Sequence, residues 1–188
     1  ELYRGNRTTK RNAEHFSAFS SYNYPALARA GVHIIYNRQF IEPVGENVRP
    51  LRLCKQFDTR VAILKLFPGI TESVVESVLN IPDLRGVVLE TFGSGNAPSH
   101  EWLYRHLRNA VDRGIVIVNK TQCNTGSVAM GQYAVSLNLL KAGVISGYDI
   151  TTEALLTKMM YLFGENPSNN DLVKELLQTP LCGELTKE

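Results

Sequence analysis

The chain has 188 residues and a formal net charge of +2; 44% of its residues are hydrophobic and 20% charged. This composition describes a soluble globular chain able to bury a core, and so near-neutral a balance gives no electrostatic case for nucleic acid or for an acidic membrane surface as a partner. The three cysteines, Cys54, Cys123 and Cys182, are odd in number and form no CxxC pair, so neither a zinc ribbon nor a disulfide framework is indicated and a reducing compartment is expected.

Residues 1–56 are irregular. Turn-formers such as Asn23, Pro25, Gly31, Asn37 and Pro43 surround one strand candidate at 32–36. A stretch this long with so little periodicity rarely makes a core alone. Phe16, Phe19, Tyr22 and Tyr24 are therefore expected to pack on something outside it. The cluster Arg7, Lys10 and Arg11 reads as a solvated turn, and 42–47 as a surface loop or linker. The opening at Glu1, with no Met and no apolar leader, reads as the continuation of a longer chain.

From Val61 the pattern changes. An apolar strand at 61–66 ends at Pro68-Gly69. A helix follows, with Thr71 as its N-cap and an apolar stripe of Val74, Val75, Val78 and Leu79. A second strand is expected at 86–91. The next helix, opened by Pro98-Ser99, carries Leu103, Leu107, Ala110 and Val111 on one face and ends before Gly114. A third strand lies at 115–118, and further helices at about 129–140, 151–163 and 168–178, the last with Ser168 and Asp171 as a capping pair. Alternating strands and helices predict right-handed crossovers and a parallel sheet. Near-continuous apolar strands predict burial of both its faces. Residues 57–188 are thus expected to form a small three-layer α/β/α domain, preceded at 1–56 by the tail of a larger N-terminal α/β domain and a linker.

Ligands of open α/β sheets bind outside the carboxyl ends of the strands. Two loops leaving those ends, 91–98 and 120–127, are dense in glycine and small polar groups. Gly93-Ser94-Gly95 does not complete GxGxxG, since the third glycine position is Pro98, so dinucleotide binding is disfavoured. A tight turn there would leave the Asn96 amide free to face a ligand. Cys123 has no histidine near it in sequence to act as a base, and no spacing of His, Asp or Glu suggests a metal site. No cofactor is indicated. Tyr133 either lends a hydroxyl to a pocket or is a partly buried core tyrosine.

Several of these segments resemble the asparaginase/glutaminase family, in particular its type I, cytosolic branch: LYRGNRTTK at 2–10, FSAFSSYNYPALARAGV at 16–32, GVVLETFGSGNAPS at 86–99, RGIVIVNKTQCNTGSV at 113–128, AGVISGYDITTEALLTKMMYL at 142–162 and GELT at 183–186. They span nearly the whole chain in the family's order. The resemblance implies a two-domain amidohydrolase of L-asparagine that is cytoplasmic and a homodimer or homotetramer. Its threonine nucleophile lies in an N-terminal domain whose TGGTIA and TDT motifs do not occur here, so no catalytic residue is expected in this chain. Asn96 matches the residue that completes the site of a neighbouring subunit, with Tyr133 close by as a second substrate contact. Some bacterial type I members also have an allosteric asparagine site that uses an arginine and the cysteine of the TQC motif. Here the cysteine is Cys123, but the arginine position is Glu90, and a carboxylate does not bind a carboxylate as a guanidinium does. The other readings of the same residues are an asparaginase-like subunit of a tRNA-dependent amidotransferase and a non-catalytic binding or oligomerisation module.

Overall fold

A computed structural model describes residues 1–43, 50–131 and 134–187. Its centre is a four-stranded parallel sheet in the order β5-β6-β7-β8: β5 (Val61–Lys65), β6 (Gly86–Thr91), β7 (Val116–Thr121) and β8 (Ile145–Ser146). Every residue of β6 and β7 is buried. Successive side chains of a strand point to opposite faces, and this alternation sorts the core into two layers. Val87, Leu89 and Ile117 meet α1 (Glu72–Leu79), α2 (Glu101–Asp112) and α3 (Ala134–Lys141). Val88, Val116 and Val118 meet α4 (Thr152–Glu165) and α5 (Asn170–Leu177). The three-layer α/β/α arrangement read from the sequence is the observed one.

Four helix starts differ from the sequence reading, and one of them is α3, which begins at Ala134 and not near 129. Thr71 precedes α1, but its hydroxyl lies 3.0 Å from the Ser73 hydroxyl and caps nothing. At α2 the flanking residue is His100, also without a cap bond. In α5 it is Asn169, not Ser168, that accepts the backbone N–H of Leu172 at 3.0 Å; the two adjacent residue types cap about equally well, so sequence alone does not choose between them. The two-residue strand β8 follows Gly143 and was too short to show a period.

Ahead of the sheet lie two small antiparallel pairs: β1 (Thr9–Lys10) with β2 (Phe19–Ser20), and β3 (Ala28–Ala30) with β4 (Ile34–Tyr36). The reading of Arg7 as part of a solvated turn is overturned. Its side chain is buried, and its guanidinium donates to both carboxylate oxygens of Asp149, at 2.8 and 2.7 Å, and to the Glu184 carbonyl at 3.1 Å. A fork-to-carboxylate pair satisfies the guanidinium where a loose basic turn would have needed water. Tyr24 is also used internally, stacked under Arg4 and Arg7 and edge-on to Phe40. Phe16, Phe19, Val32, Ile34 and Ile35 stay exposed. The linker at 42–47 falls mostly outside the described residues. Beyond it, the Asp58 N–H donates to the Met160 carbonyl at 3.0 Å and Arg52 pairs with Glu165, so the chain runs along α4 before entering β5.

The C-terminal tail is closed by a second buried pair, Lys158 with Glu184 at 2.5 Å. Lys158 also donates to the carbonyls of Leu177, the last residue of α5, and Thr179 just beyond it. Burial alone would raise the Glu184 pKa, but the Lys158 ammonium and the backbone N–H groups of Leu181 and Cys182 outweigh it and hold the carboxyl at about 2.

Breaking a buried pair from one side costs on the order of 3–5 kcal/mol. Arg7→Ala should therefore free residues 1–43, seen as faster hydrogen exchange there with β5, β6 and β7 still protected; unchanged exchange at 1–43 would contradict the anchor. A carboxyl held below its ordinary value of 4.5 stabilises the fold above that pH and loses the effect as pH falls toward 2. Glu184→Gln should thus lower Tm at neutral pH, and its gap to wild type should narrow as pH falls through that window. A gap independent of pH would show that the charge on Glu184 contributes nothing.

Candidate ligand-binding site

The alternation that builds the core also sorts the polar groups at the sheet's carboxyl end. Thr91, Asn119 and Thr121 share one parity, whereas Glu90 and Lys120 share the other. All are buried. The two sets make two different places.

The first is the loop between β6 and α2. Its backbone turns back on itself: the N–H groups of Gly95 and Asn96 donate to the Phe92 carbonyl at 3.1 and 2.8 Å, and the Phe92 N–H donates to the Asn96 carbonyl at 2.8 Å. Gly95 has a φ of +106°, and a Cβ there would lie 2.8 Å from Val128 Cγ1 and 3.0 Å from Asn119 Nδ2. Only glycine meets both demands. The strand beside the loop supports it. Asn119 Nδ2 donates to the Gly95 carbonyl at 3.1 Å, and Asn119 Oδ1 accepts the Thr91 hydroxyl at 2.6 Å. Thr121 Oγ1 donates to the Gly93 carbonyl at 2.5 Å and accepts the Cys123 N–H at 3.0 Å. From the next loop the Ala129 N–H donates to the Ser94 carbonyl at 3.0 Å. The turn is held by its own backbone and its neighbours. The Asn96 side-chain amide, half-buried, takes no part in holding it and has no hydrogen-bond partner among the described residues.

The second place is a cavity of about 210 Å³ on the α4 side of the sheet, lined among others by Lys65, Glu90, Lys120, Cys123 and Thr152. Glu90 accepts the Thr152 hydroxyl at 2.7 Å and lies 3.5 Å from Lys65 Nζ. Lys120 Nζ donates to the Thr121 carbonyl at 2.6 Å, and desolvation pulls its pKa below the ordinary lysine value despite the attraction of Glu90. Cys123 stands exposed at the rim. Asn96 and Cys123 therefore do not share a site. Tyr133 lies outside the described residues. Among the described residues no group of three His, Cys, Asp or Glu could hold a metal ion, and no helix is long and apolar enough to cross a membrane.

Sequence reasoning found the glycine turn and Asn96 but missed Asn119 and Thr91. The signal was present: the asparagine of IVIVNKT interrupts a strand otherwise apolar up to that point, and a buried amide needs partners for both its ends.

The polar, glycine-turned loop lies at the carboxyl end of the strands, where ligands of open α/β sheets bind. Residues 60–177 match the glutaminase/asparaginase C-terminal domain, and the chain belongs to that family. It is 42% identical over 190 residues to L-asparaginase 1 of Escherichia coli strain K12, covering all of this chain and 54% of that protein. It is 44% identical over 186 residues to the human 60 kDa lysophospholipase, covering 99% of this chain and 32% of that protein. The structure of L-asparaginase I from Vibrio cholerae superposes with a TM-score of 0.84 at 41% identity, covering 98% of this chain and 55% of that one. The chain thus spans about half the length of these two bacterial asparaginases and a third of the human protein.

Proposed function

We propose that this chain serves in the hydrolysis of L-asparagine to L-aspartate and ammonia, as the part of an L-asparaginase that completes a substrate site without supplying the nucleophile. The observation that carries the reading is the Asn96 loop. Its backbone is fixed on all sides while the Asn96 amide is left free to donate and accept. A zwitterionic amino acid offers an ammonium and a carboxylate to such a group. The family, the bacterial relatives named asparaginases and the match of Asn96 to the residue that reaches a neighbouring subunit's site all support it. Tyr133 belongs to the proposal as a second substrate contact. A homodimer or homotetramer and a cytoplasmic location belong to it too. The exposed apolar groups of residues 1–43 are the surface that further chain would cover.

Cys123 is the second position of the reading, as the rim of a regulatory ligand cavity. With Glu90 in that cavity, the cations that line it are Lys65, Lys120 and Arg7, the last already paired with Asp149. No observation favours the tRNA-dependent amidotransferase or the purely structural module over this reading.

The test is kinetic, in the full-length protein. Losing a hydrogen bond to a charged group costs on the order of 1.5–3 kcal/mol, so Asn96→Ala should lower kcat/KM about 10- to 150-fold with the fold intact. If Asn96 only stabilised its own turn, the variant would lose thermal stability with near-normal kinetics, and that result would refute the site. The same titration checks Cys123: Cys123→Ser should change the shape of the rate curve against asparagine, and an unchanged curve would remove the cavity from the mechanism.

A further inference from the structure

The buried amide of Asn119 is costly where it stands. It interrupts an apolar strand, is 0% exposed, and lies on the same face as Ile117, which packs in the core beside it. A buried amide left unpaired is destabilising, and an apolar residue of similar size would avoid the risk. Both ends of this amide are instead committed. The Thr91 hydroxyl, itself 0% exposed, donates to Oδ1, and the Gly95 carbonyl, which can only accept, fixes which end of the amide faces which way. Nδ2 is thereby turned to the Gly95 carbonyl, one residue before Asn96, and it also lies 3.2 Å from Met130 Sδ on the following loop. One side chain thus joins β6, β7, the Asn96 loop and the segment at 127–131.

We propose that Asn119 is a positioning residue for the reaction. Held by Thr91, it fixes the Gly95 carbonyl and through it the direction of the Asn96 side chain, without touching substrate. The proposal rests on the reading of Asn96 as a substrate-binding residue. Its chemistry is specific. Aspartate has the shape of asparagine but no donor at the Nδ2 position, so a carboxylate oxygen would face the Gly95 carbonyl and repel it. The loop would then shift at Gly95, whose backbone tolerates several conformations.

The test uses the full-length protein with asparagine as substrate, Tm being recorded for every variant. Asn119→Asp should lower kcat/KM about tenfold, the cost of roughly one lost hydrogen bond, mainly through KM, because a misdirected Asn96 weakens binding of substrate and transition state alike. In an Asn96→Ala background the same substitution should change kcat/KM by less than about twofold, since the group it positions is gone. Thr91→Val, which keeps shape but removes the donor, should follow Asn119→Asp in direction, and Thr91→Ser should restore wild-type kinetics. If Asn119→Asp does not fold, the Thr91→Val and Thr91→Ser pair carries the test alone. Equal losses of kcat/KM in the two Asn96 backgrounds, a fall in Tm with unchanged kinetics, or identical kinetics for the two Thr91 variants would each overturn the proposal. Asn96→Ala with unchanged kcat/KM is a distinct failure: it defeats the underlying site reading and takes this proposal with it.

Discussion

The hydrogen bonds that run from the Thr91 hydroxyl to the Asn119 amide and on to the Gly95 carbonyl lie in a sheet covered on both faces, where water is excluded and an unmatched polar atom is costly. Everything distinctive at this end of the molecule follows from satisfying them. The glycine turn must come close enough for its carbonyl to accept. Val128 then closes on Gly95 from the other side, and the loop cannot carry a side chain at that position. The result is a rigid support for the Asn96 amide, which has no hydrogen-bond partner among the described residues. A parallel sheet gives this result readily, because all its strands end at the same edge and their last residues face each other in register.

Strand alternation has a second consequence. Neighbouring residues of β7 serve different purposes: Asn119 and Thr121 support the Asn96 loop, and Lys120 between them turns into the cavity beside Cys123. A ligand on one side and a ligand on the other would be separated by a single strand, yet would press on adjacent residues. Thr121 Oγ1 also joins the two places directly, accepting the Cys123 N–H and donating to the Gly93 carbonyl. The N-terminal segment contributes to the same edge. Arg7 grips Asp149, just before α4, while Asn23 exchanges hydrogen bonds with Gly126 in the loop that follows β7.

Much of the fold was legible because it depends on periodicity. The strands at 61–66 and 86–91 and the helix faces around Leu103 and Leu107 announce themselves by apolar spacing and are observed within a residue or two. Arg7 was not legible: an arginine among basic and turn-forming residues looks solvated until Asp149, 142 positions away, is brought beside it. Caps were misassigned where two capable residues were adjacent, as at Ser168 and Asn169. Within the site, glycine and asparagine were readable from composition, since a sharp turn demands particular residues. Asn96 and Cys123 were already assigned to different sites by the resemblance; not readable was that Asn119 and Thr121 support one place while Lys120 between them lines the other, since only strand parity decides which face a residue serves.

If these residues complete the proposed catalytic site while its nucleophile lies elsewhere, ammonia release from L-asparagine separates residues 1–188 alone from a chimera that places them behind the N-terminal portion of Escherichia coli L-asparaginase 1. No activity above background is expected from the chain alone, since an activated nucleophile needs its base within reach, and measurable activity that depends on Asn96 is expected from the chimera. Activity from the isolated chain, abolished by substituting one of its own threonines or cysteines, would contradict this expectation.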